Sequence, residues 1–111
     1  MKKQFIIFSL VASLVFGIAS LQADDDAICR EFARVAEEYM TSRQNGESLF
    51  TILDELNERE KNDPGMAPLY KGGRGIAEMA WSYPKFNTEE NKRDIIQQFK
   101  ERIYLECMKA E

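Results

Sequence analysis

The sequence predicts an all-α fold, a small up-down-up-down four-helix bundle with one disulfide joining helix 1 to helix 4. Apolar residues recur at three- and four-residue spacing in four separate segments, which is the period of an amphipathic helix. No alternation typical of strands extends beyond a few residues, and the links between the segments are short, as between antiparallel helices. Cys29 and Cys107 lie in the first and last segments, which an up-down-up-down bundle brings to the same end.

The first 23 residues are predicted to be a secretory signal peptide. Lys2 and Lys3 precede an apolar run over residues 5–18, and small residues follow as far as Ala23, after which we expect cleavage. Cleavage after Ala19 is an alternative. A membrane anchor is the competing interpretation, but the uninterrupted run is shorter than the ~20 residues of a spanning helix. The protein is therefore expected to be periplasmic or secreted, with no stable membrane insertion after cleavage.

Residues 24–111 are predicted to form a single helical domain of 88 residues. Loss of the two leader lysines leaves 13 basic against 19 acidic residues, a net charge of −6. Because so short a chain buries a small share of its surface, a stabilising cross-link is expected. A pair of cysteines in an exported protein indicates a disulfide, which would contribute on the order of 4 kcal/mol to the free energy of unfolding. Free thiols, a metal pair or a redox couple are the alternatives, although the chain has no histidine and no C-x-x-C spacing.

The first helix is predicted to begin at an Asp26 cap and to stop at Asn45-Gly46, and the second to run from about Ser48 to Lys61 before the turn at residues 63–65. The stripe of the first comprises Ile28, Phe32, Val35, Ala36 and Tyr39, flanked by Cys29, Ala33 and Met40; that of the second comprises Leu49, Ile52, Leu53 and Leu56, widened by Phe50.

The third segment contains the stretch KGGRG at residues 71–75. Its apolar residues share one face only if the helix passes straight through the glycines, each of which costs about 1 kcal/mol relative to alanine. We therefore expect the firm part to run from Ile76 to about Tyr83. The face comprises Leu69, Tyr70, Ile76, Met79, Ala80 and Tyr83.

The fourth helix is the longest. Asn87 with Glu90 makes a capping-box pattern, and Thr88 is an alternative cap. Its apolar stripe comprises Ile95, Ile96, Phe99, Ile103 and Cys107.

The composition excludes several chemistries. Without histidine, neither a Ser-His-Asp nor a Cys-His catalytic site can be built. Asp54 and Glu58 share a helix face and are the candidates for a carboxylate-dependent glycoside hydrolase, against the simpler interpretation of a solvated face. The acidic charge argues against nucleic-acid binding. We predict no catalytic residues, no metal and no cofactor.

KGGRG itself has two interpretations. A phosphate-binding loop needs a preceding strand and a following Lys-Ser/Thr, and the sequence has neither. A loose helix start, or a close helix–helix contact that glycine permits, is the interpretation we favour. The cations here and the aromatic residues that follow are our candidate binding surface, because tryptophan, tyrosine and cations are typical of binding hot spots. It comprises Lys71, Arg74, Trp81, Tyr83, Lys85 and Phe86.

An ordered set of residues also supports an exported helical protein. The set is Cys29, Ala33, Arg43, Gln44, Gly46 and Ser48, then Ala80, Tyr83, Pro84, Phe86, Thr88, Glu89, Glu90, Phe99, Tyr104 and Cys107. It resembles an uncharacterised family of small exported helical proteins of proteobacteria and their phages, with one cysteine near each end. The resemblance implies a compartment and a fold, but no activity and no functional residue.

These observations predict a non-enzymatic periplasmic domain that binds another periplasmic protein. Inhibition of, or immunity against, a cell-wall hydrolase or another periplasmic effector suits an acidic domain, because such hydrolases are often basic. An acid-stress chaperone is the alternative, since carboxylates lose their charge at low pH and the bundle can then expose apolar surface. The glycoside hydrolase is a remote third hypothesis.

Overall fold

A computed structural model describes the backbone of residues 9–110 and the side chains of residues 25–110. The chain forms α1 (Ser9–Gln44), α2 (Leu49–Asn62), α3 (Ala67–Trp81) and α4 (Glu89–Lys109), with a 3₁₀ turn at Pro64–Met66. The described part of the chain contains no strand, so the all-α prediction is confirmed. None of its helices combines the length and the apolar character that crossing a membrane requires.

The start of the first helix differs from the prediction. The expected Asp26 cap is wrong, because α1 already begins at Ser9 and Asp26 lies within it. No proline interrupts residues 9–26, so nothing forces a break ahead of the three aspartates. The predicted signal peptide, residues 1–23, lies outside the residues whose side chains are described, and its cleavage stays a prediction.

Other helix ends follow the local signals. Gly46 takes a positive φ of 87° and closes α1, as the Asn-Gly pair predicted. Ser48 caps α2, whose start is confirmed. At α4 the cap is Thr88, whose hydroxyl accepts a hydrogen bond from the Asn91 N–H at 3.1 Å, so the predicted capping box at Asn87 is wrong and the alternative is right.

The glycines do not interrupt α3. The helix runs from Ala67 to Trp81, with Pro68 in its first turn, so it passes through all of KGGRG and ends two residues before the expected Tyr83. Burial on two sides offsets the low helix propensity: Gly73, Ile76, Ala77 and Ala80 are all buried.

The core is built mainly around α1. This helix packs against α4 and α3, whereas α2 packs mainly against α3. One buried cluster joins α1, α3 and α4, and a smaller one joins α2 to α3. The first contains Ala36, Met40, Ile76, Ala80, Phe99 and Ile103, and the second contains Ile52, Leu56 and Ala77. The alternating direction of the four helices stays a prediction.

The disulfide is confirmed. Cys29 of α1 is bonded to Cys107 of α4, with their Cα atoms 5.5 Å apart, and Cys29 is almost fully buried. The bond connects two residues 78 positions apart and so fastens the two longest helices to each other.

Two predicted core residues are exposed instead. Ile28 is 51% exposed, because the α1 face that meets α4 is centred on Cys29, Ala33 and Ala36, about one residue around the helix from the predicted stripe. Phe50 is 71% exposed, since it lies two residues before Ile52 and therefore on the far side of α2 from α3.

Candidate binding cleft

An apolar cleft of about 160 Å³ lies between α1 and α2, above α3. It exists because α2 packs mainly against α3 and leaves one face of α1 uncovered. We call it the α1–α2 cleft. Its floor comprises Phe32, Val35 and Tyr39 of α1, Leu56 of α2, and Leu69, Tyr70 and Gly73 of α3.

The floor is made largely of residues that periodicity assigns to the core. Phe32, Val35 and Tyr39 belong to the predicted stripe of the first helix, yet each is only half-buried. Leu69 and Tyr70 belong to the predicted face of the third helix and are half-buried too. The apolar stripe of α1 is thus wider than its contacts with α3 and α4, and the surplus lines the cleft.

Gly72 and Gly73 bring α3 close to the other helices. A Cβ atom at Gly72 would lie 3.2 Å from two ring atoms of Phe32, closer than ordinary van der Waals contact. At Gly73 it would lie 3.5 Å from Leu56 and 3.6 Å from the Tyr39 hydroxyl, which is ordinary contact, so a methyl group would fit there but would occupy cleft space. The helix–helix interpretation of KGGRG therefore fits its surroundings.

Charged residues surround the opening. Arg34 of α1 contacts Glu31 at 2.5 Å and Glu38 at 2.6 Å, and Arg59 of α2 contacts Glu55 at 3.2 Å. Three carboxylates thus face two guanidinium groups, which leaves this rim with one net negative charge. The Arg34 hydrogen bond lowers the pKa of Glu31, which keeps that carboxylate ionised.

Tyr39 reports how far the cleft floor is removed from water. Burial raises the pKa of its hydroxyl, and the Glu55 carboxylate raises it further, against an opposing effect of Arg59. Burial is the main cause, so the raised pKa shows that the Tyr39 hydroxyl is partly removed from water on the cleft floor.

A shallower groove of about 710 Å³ continues from the cleft along α1 and α2. It shares Arg34, Glu38 and Glu55 with the rim and adds two further acids, Glu37 and Glu47. Lys100 of α4 contacts Glu37 at 3.0 Å. The acidic character therefore extends beyond the cleft.

The six residues of the predicted binding surface do not line the α1–α2 cleft. Arg74 bridges α3 to α2, because its guanidinium donates to Asn57 at 2.8 Å and to Glu60 at 3.0 Å. Trp81 packs against both core clusters and donates its indole N–H to the Glu47 carbonyl at 3.2 Å. Both side chains hold helices together, and Lys71 is exposed on α3.

The other three candidates lie in or next to the α3–α4 link. Tyr83 packs edge-on against Phe99, with ring centroids 5.5 Å apart, and its hydroxyl accepts a hydrogen bond from Arg102. Phe86 is half-buried, whereas Lys85 is exposed with its ammonium near Gly46. A binding role for the six residues stays a prediction, and four of them have an internal structural role.

Gln44 has a structural role that neither periodicity nor a local motif predicts. It is 2% exposed at the end of α1, donates to the Pro84 carbonyl at 2.9 Å and accepts from the Phe86 N–H at 2.8 Å. It therefore holds the α3–α4 link against α1. A buried glutamine has no local sequence signal, because its partners are 40 and 42 residues away.

The carboxylates of the hydrolase hypothesis lie elsewhere. Asp54 and Glu58 are exposed on α2, and neither lines the α1–α2 cleft. Across the described residues, no group of three or more Asp, Glu or Cys side chains is arranged to hold a metal ion.

No family model, curated protein or solved structure matches the chain. The resemblance to small exported helical proteins therefore stays a prediction, and the function is inferred from the chemistry of the cleft.

Proposed function

We propose that this chain is a non-enzymatic, exported protein-binding domain, and that the α1–α2 cleft is the place where it holds its partner. The observation that supports this most strongly is the uncovered part of the α1 stripe. Phe32, Val35 and Tyr39 are half-buried although no helix of the described chain covers them fully. Aromatic side chains that line a concave site with a polar rim are typical of binding hot spots.

The charge of the domain supports a basic partner. The full sequence carries a net charge of −4, and loss of the two leader lysines makes it −6. An acidic surface steers a basic protein toward it and raises the rate of association. A cell-wall hydrolase or another periplasmic effector fits this description, and the domain then acts as its inhibitor or immunity protein.

Capture from periplasmic extract tests the proposal. The bait is the purified protein, compared with Gly73→Ala and the matched control Gly75→Ala. A methyl group at Gly73 makes ordinary contacts on the cleft floor, and at Gly75 no atom of the described residues lies within 4 Å of it, so both variants are expected to fold. We expect wild type and Gly75→Ala to retain one basic protein in stoichiometric amount, and Gly73→Ala to retain at least about tenfold less, a loss of about 1.4 kcal/mol.

Two outcomes count against the proposal. If no protein is retained in stoichiometric amount by any bait, the domain is not a periplasmic binding module of this kind. If Gly73→Ala retains as much partner as Gly75→Ala, the partner is held by another surface. The six residues of the predicted binding surface, with Lys71 and Lys85 exposed, are then the next to replace.

Export itself has a direct test. The disulfide fits an oxidising compartment, which supports a periplasmic or secreted location. Full-length protein produced with its own N-terminus should be recovered from the periplasmic fraction beginning at Asp24, as intact mass measures. A product that still begins at Met1 in the cytoplasmic fraction contradicts the signal-peptide prediction.

The exposed apolar residues favour the acid-stress chaperone as a second candidate. Phe50 and Leu105 are exposed, and protonation of the rim carboxylates at low pH would lower the polarity around the cleft. If this is the function, binding of an apolar dye should rise between about pH 7 and pH 2. A flat titration excludes it.

A further inference from the structure

We infer that the α1–α2 cleft takes a single cationic side chain, an arginine or a lysine, from the partner protein. The inference rests on the proposed function, because it names the group by which a basic partner would be anchored. It combines three independent properties of the cleft: its size, its aromatic lining and its charge.

The size of the cleft limits the occupant. At about 160 Å³ the cleft is close to the ~150 Å³ of an engineered protein cavity that holds one benzene ring. A helix of about 10 Å diameter does not fit between α1 and α2. The end of one side chain does, with the rest of the partner lying over the rim.

The lining suits a flat or compact cation. Phe32, Tyr39 and Tyr70 come from two helices and all contribute to the cleft wall. A cation within about 6 Å of an aromatic face is attracted by the ring quadrupole, and the attraction is stronger where water is excluded. Arginine also stacks its planar guanidinium on such rings.

The charge of the cleft rim favours a cation over a neutral apolar group as the occupant. Glu38 and Glu55 stand on opposite sides of the opening, one on α1 and one on α2. Each is paired with an arginine of its own helix, but the side chains of these pairs are more than half exposed, and such exposed ion pairs are weak. An incoming guanidinium can therefore replace Arg59 on Glu55 at little cost, and it would meet a rim on which three carboxylates outnumber two guanidinium groups.

A pair of small probes isolates this recognition from the rest of the partner. N-acetyl-arginine amide is titrated into the isotope-labelled protein and followed by NMR, with N-acetyl-citrulline amide as the neutral analogue of nearly the same shape. We expect the arginine probe to shift the amide signals of Gly73 and Tyr39 with a millimolar Kd. The citrulline probe should bind at least about tenfold more weakly, because it lacks the charge.

Two variants test the location. Gly73→Ala places a methyl group on the cleft floor and should weaken arginine binding at least about tenfold, whereas Gly75→Ala should leave it unchanged. Glu55→Gln keeps the size of the side chain and should weaken arginine binding about three- to tenfold without affecting citrulline. Equal binding of the two probes, or equal binding by the two glycine variants, overturns the inference.

The titration with the arginine probe and the capture from periplasmic extract test different claims and can fail independently. Arginine binding in the cleft without any captured protein would leave the cation site standing and refute the proposed function. Capture of a partner that depends on Gly73, without arginine binding in the cleft, would support the proposed function and refute the cationic anchor.

Discussion

Replacing Gly72 or Gly75 of α3 by alanine is expected to change the stability of the protein in opposite directions. Gly72 and Gly75 both lie inside the helix, so replacing either by alanine gains about 1 kcal/mol of helix propensity. At Gly75 no atom of the described residues lies within 4 Å of the new Cβ atom, so the whole gain should remain. At Gly72 the Cβ atom would lie 3.2 Å from two ring atoms of Phe32, which must then move by a few tenths of an ångström.

The contact at Gly72 decides the net effect. Phe32 packs against the main core cluster, so displacing its ring disturbs residues beyond α1 and α3. Inserting a methyl group into a packed region typically costs about 1–3 kcal/mol. We therefore expect Gly75→Ala to be about 1 kcal/mol more stable than wild type, and Gly72→Ala to lie between neutral and about 2 kcal/mol less stable.

Urea unfolding followed by circular dichroism measures both changes. A shift of 1 kcal/mol corresponds to about 4–8 °C in Tm for a domain of this size, so thermal unfolding gives an independent value. Helix content at low urea should be unchanged in both variants. If Gly72→Ala is stabilised as much as Gly75→Ala, α3 does not approach Phe32 and the packing argument is refuted; if Gly75→Ala loses stability, α3 is not helical through its glycines.

Three further predictions concern the ends of the bundle. Reducing the Cys29–Cys107 disulfide, which links residues 78 positions apart, should lower the free energy of unfolding by about 4.5 kcal/mol in the chain-entropy model; urea titration with and without reductant checks this, and a loss below about 1 kcal/mol contradicts it. Tyr104→Phe removes the hydrogen bond that is the main cause of the lowered pKa of Asp26. A carboxyl group whose pKa is lowered by folding stabilises the fold at pH values above its unfolded-state pKa, and this stabilisation is lost as the pH falls through its folded-state pKa. The Tm deficit of this variant should therefore be present near pH 7 and vanish near pH 2, and a deficit that persists in acid would show that packing, not the hydrogen bond, was lost. Gln44→Ala leaves the polar groups of the α3–α4 link without their buried partner and should cost about 2–3 kcal/mol, whereas an unchanged urea midpoint would mean that water replaces the side chain.

The sequence predicts those features that depend on neighbouring residues. The helix ends at Gly46 and Ser48 are set by positive φ and by a hydroxyl that caps the next turn, and both are visible locally. The disulfide was predictable for a different reason: with two cysteines in the chain, one pairing is possible. The same local reasoning erred by one residue at α4, because Asn87 and Thr88 are both good caps and differ only in the backbone geometry of the link.

The predictions that failed depend on which face meets which helix. Ile28 and Phe50 match the apolar period of their helices but lie on faces that no helix of the described chain covers. The small side chains at Ala33 and Ala36 set the close face of α1, since they let α4 and α3 approach. Periodicity shows that an apolar stripe exists, but the size of the side chains within it determines which part is buried.

Gly73 is where stability and binding are expected to diverge. Packing explains the glycine at position 72, because Phe32 occupies the space that a methyl group needs. It does not explain Gly73, since a Cβ atom there would make ordinary contacts with Leu56 and Tyr39 and would gain about 1 kcal/mol of helix propensity. What the glycine provides at this position is the open floor of the α1–α2 cleft. Nothing in the structure explains the glycine at position 75, which makes Gly75→Ala the necessary control. A Gly73→Ala protein that unfolds at higher urea than wild type but no longer binds would show that the open floor serves recognition; one that is more stable and binds equally well would show that Gly73, like Gly75, has no role in the cleft.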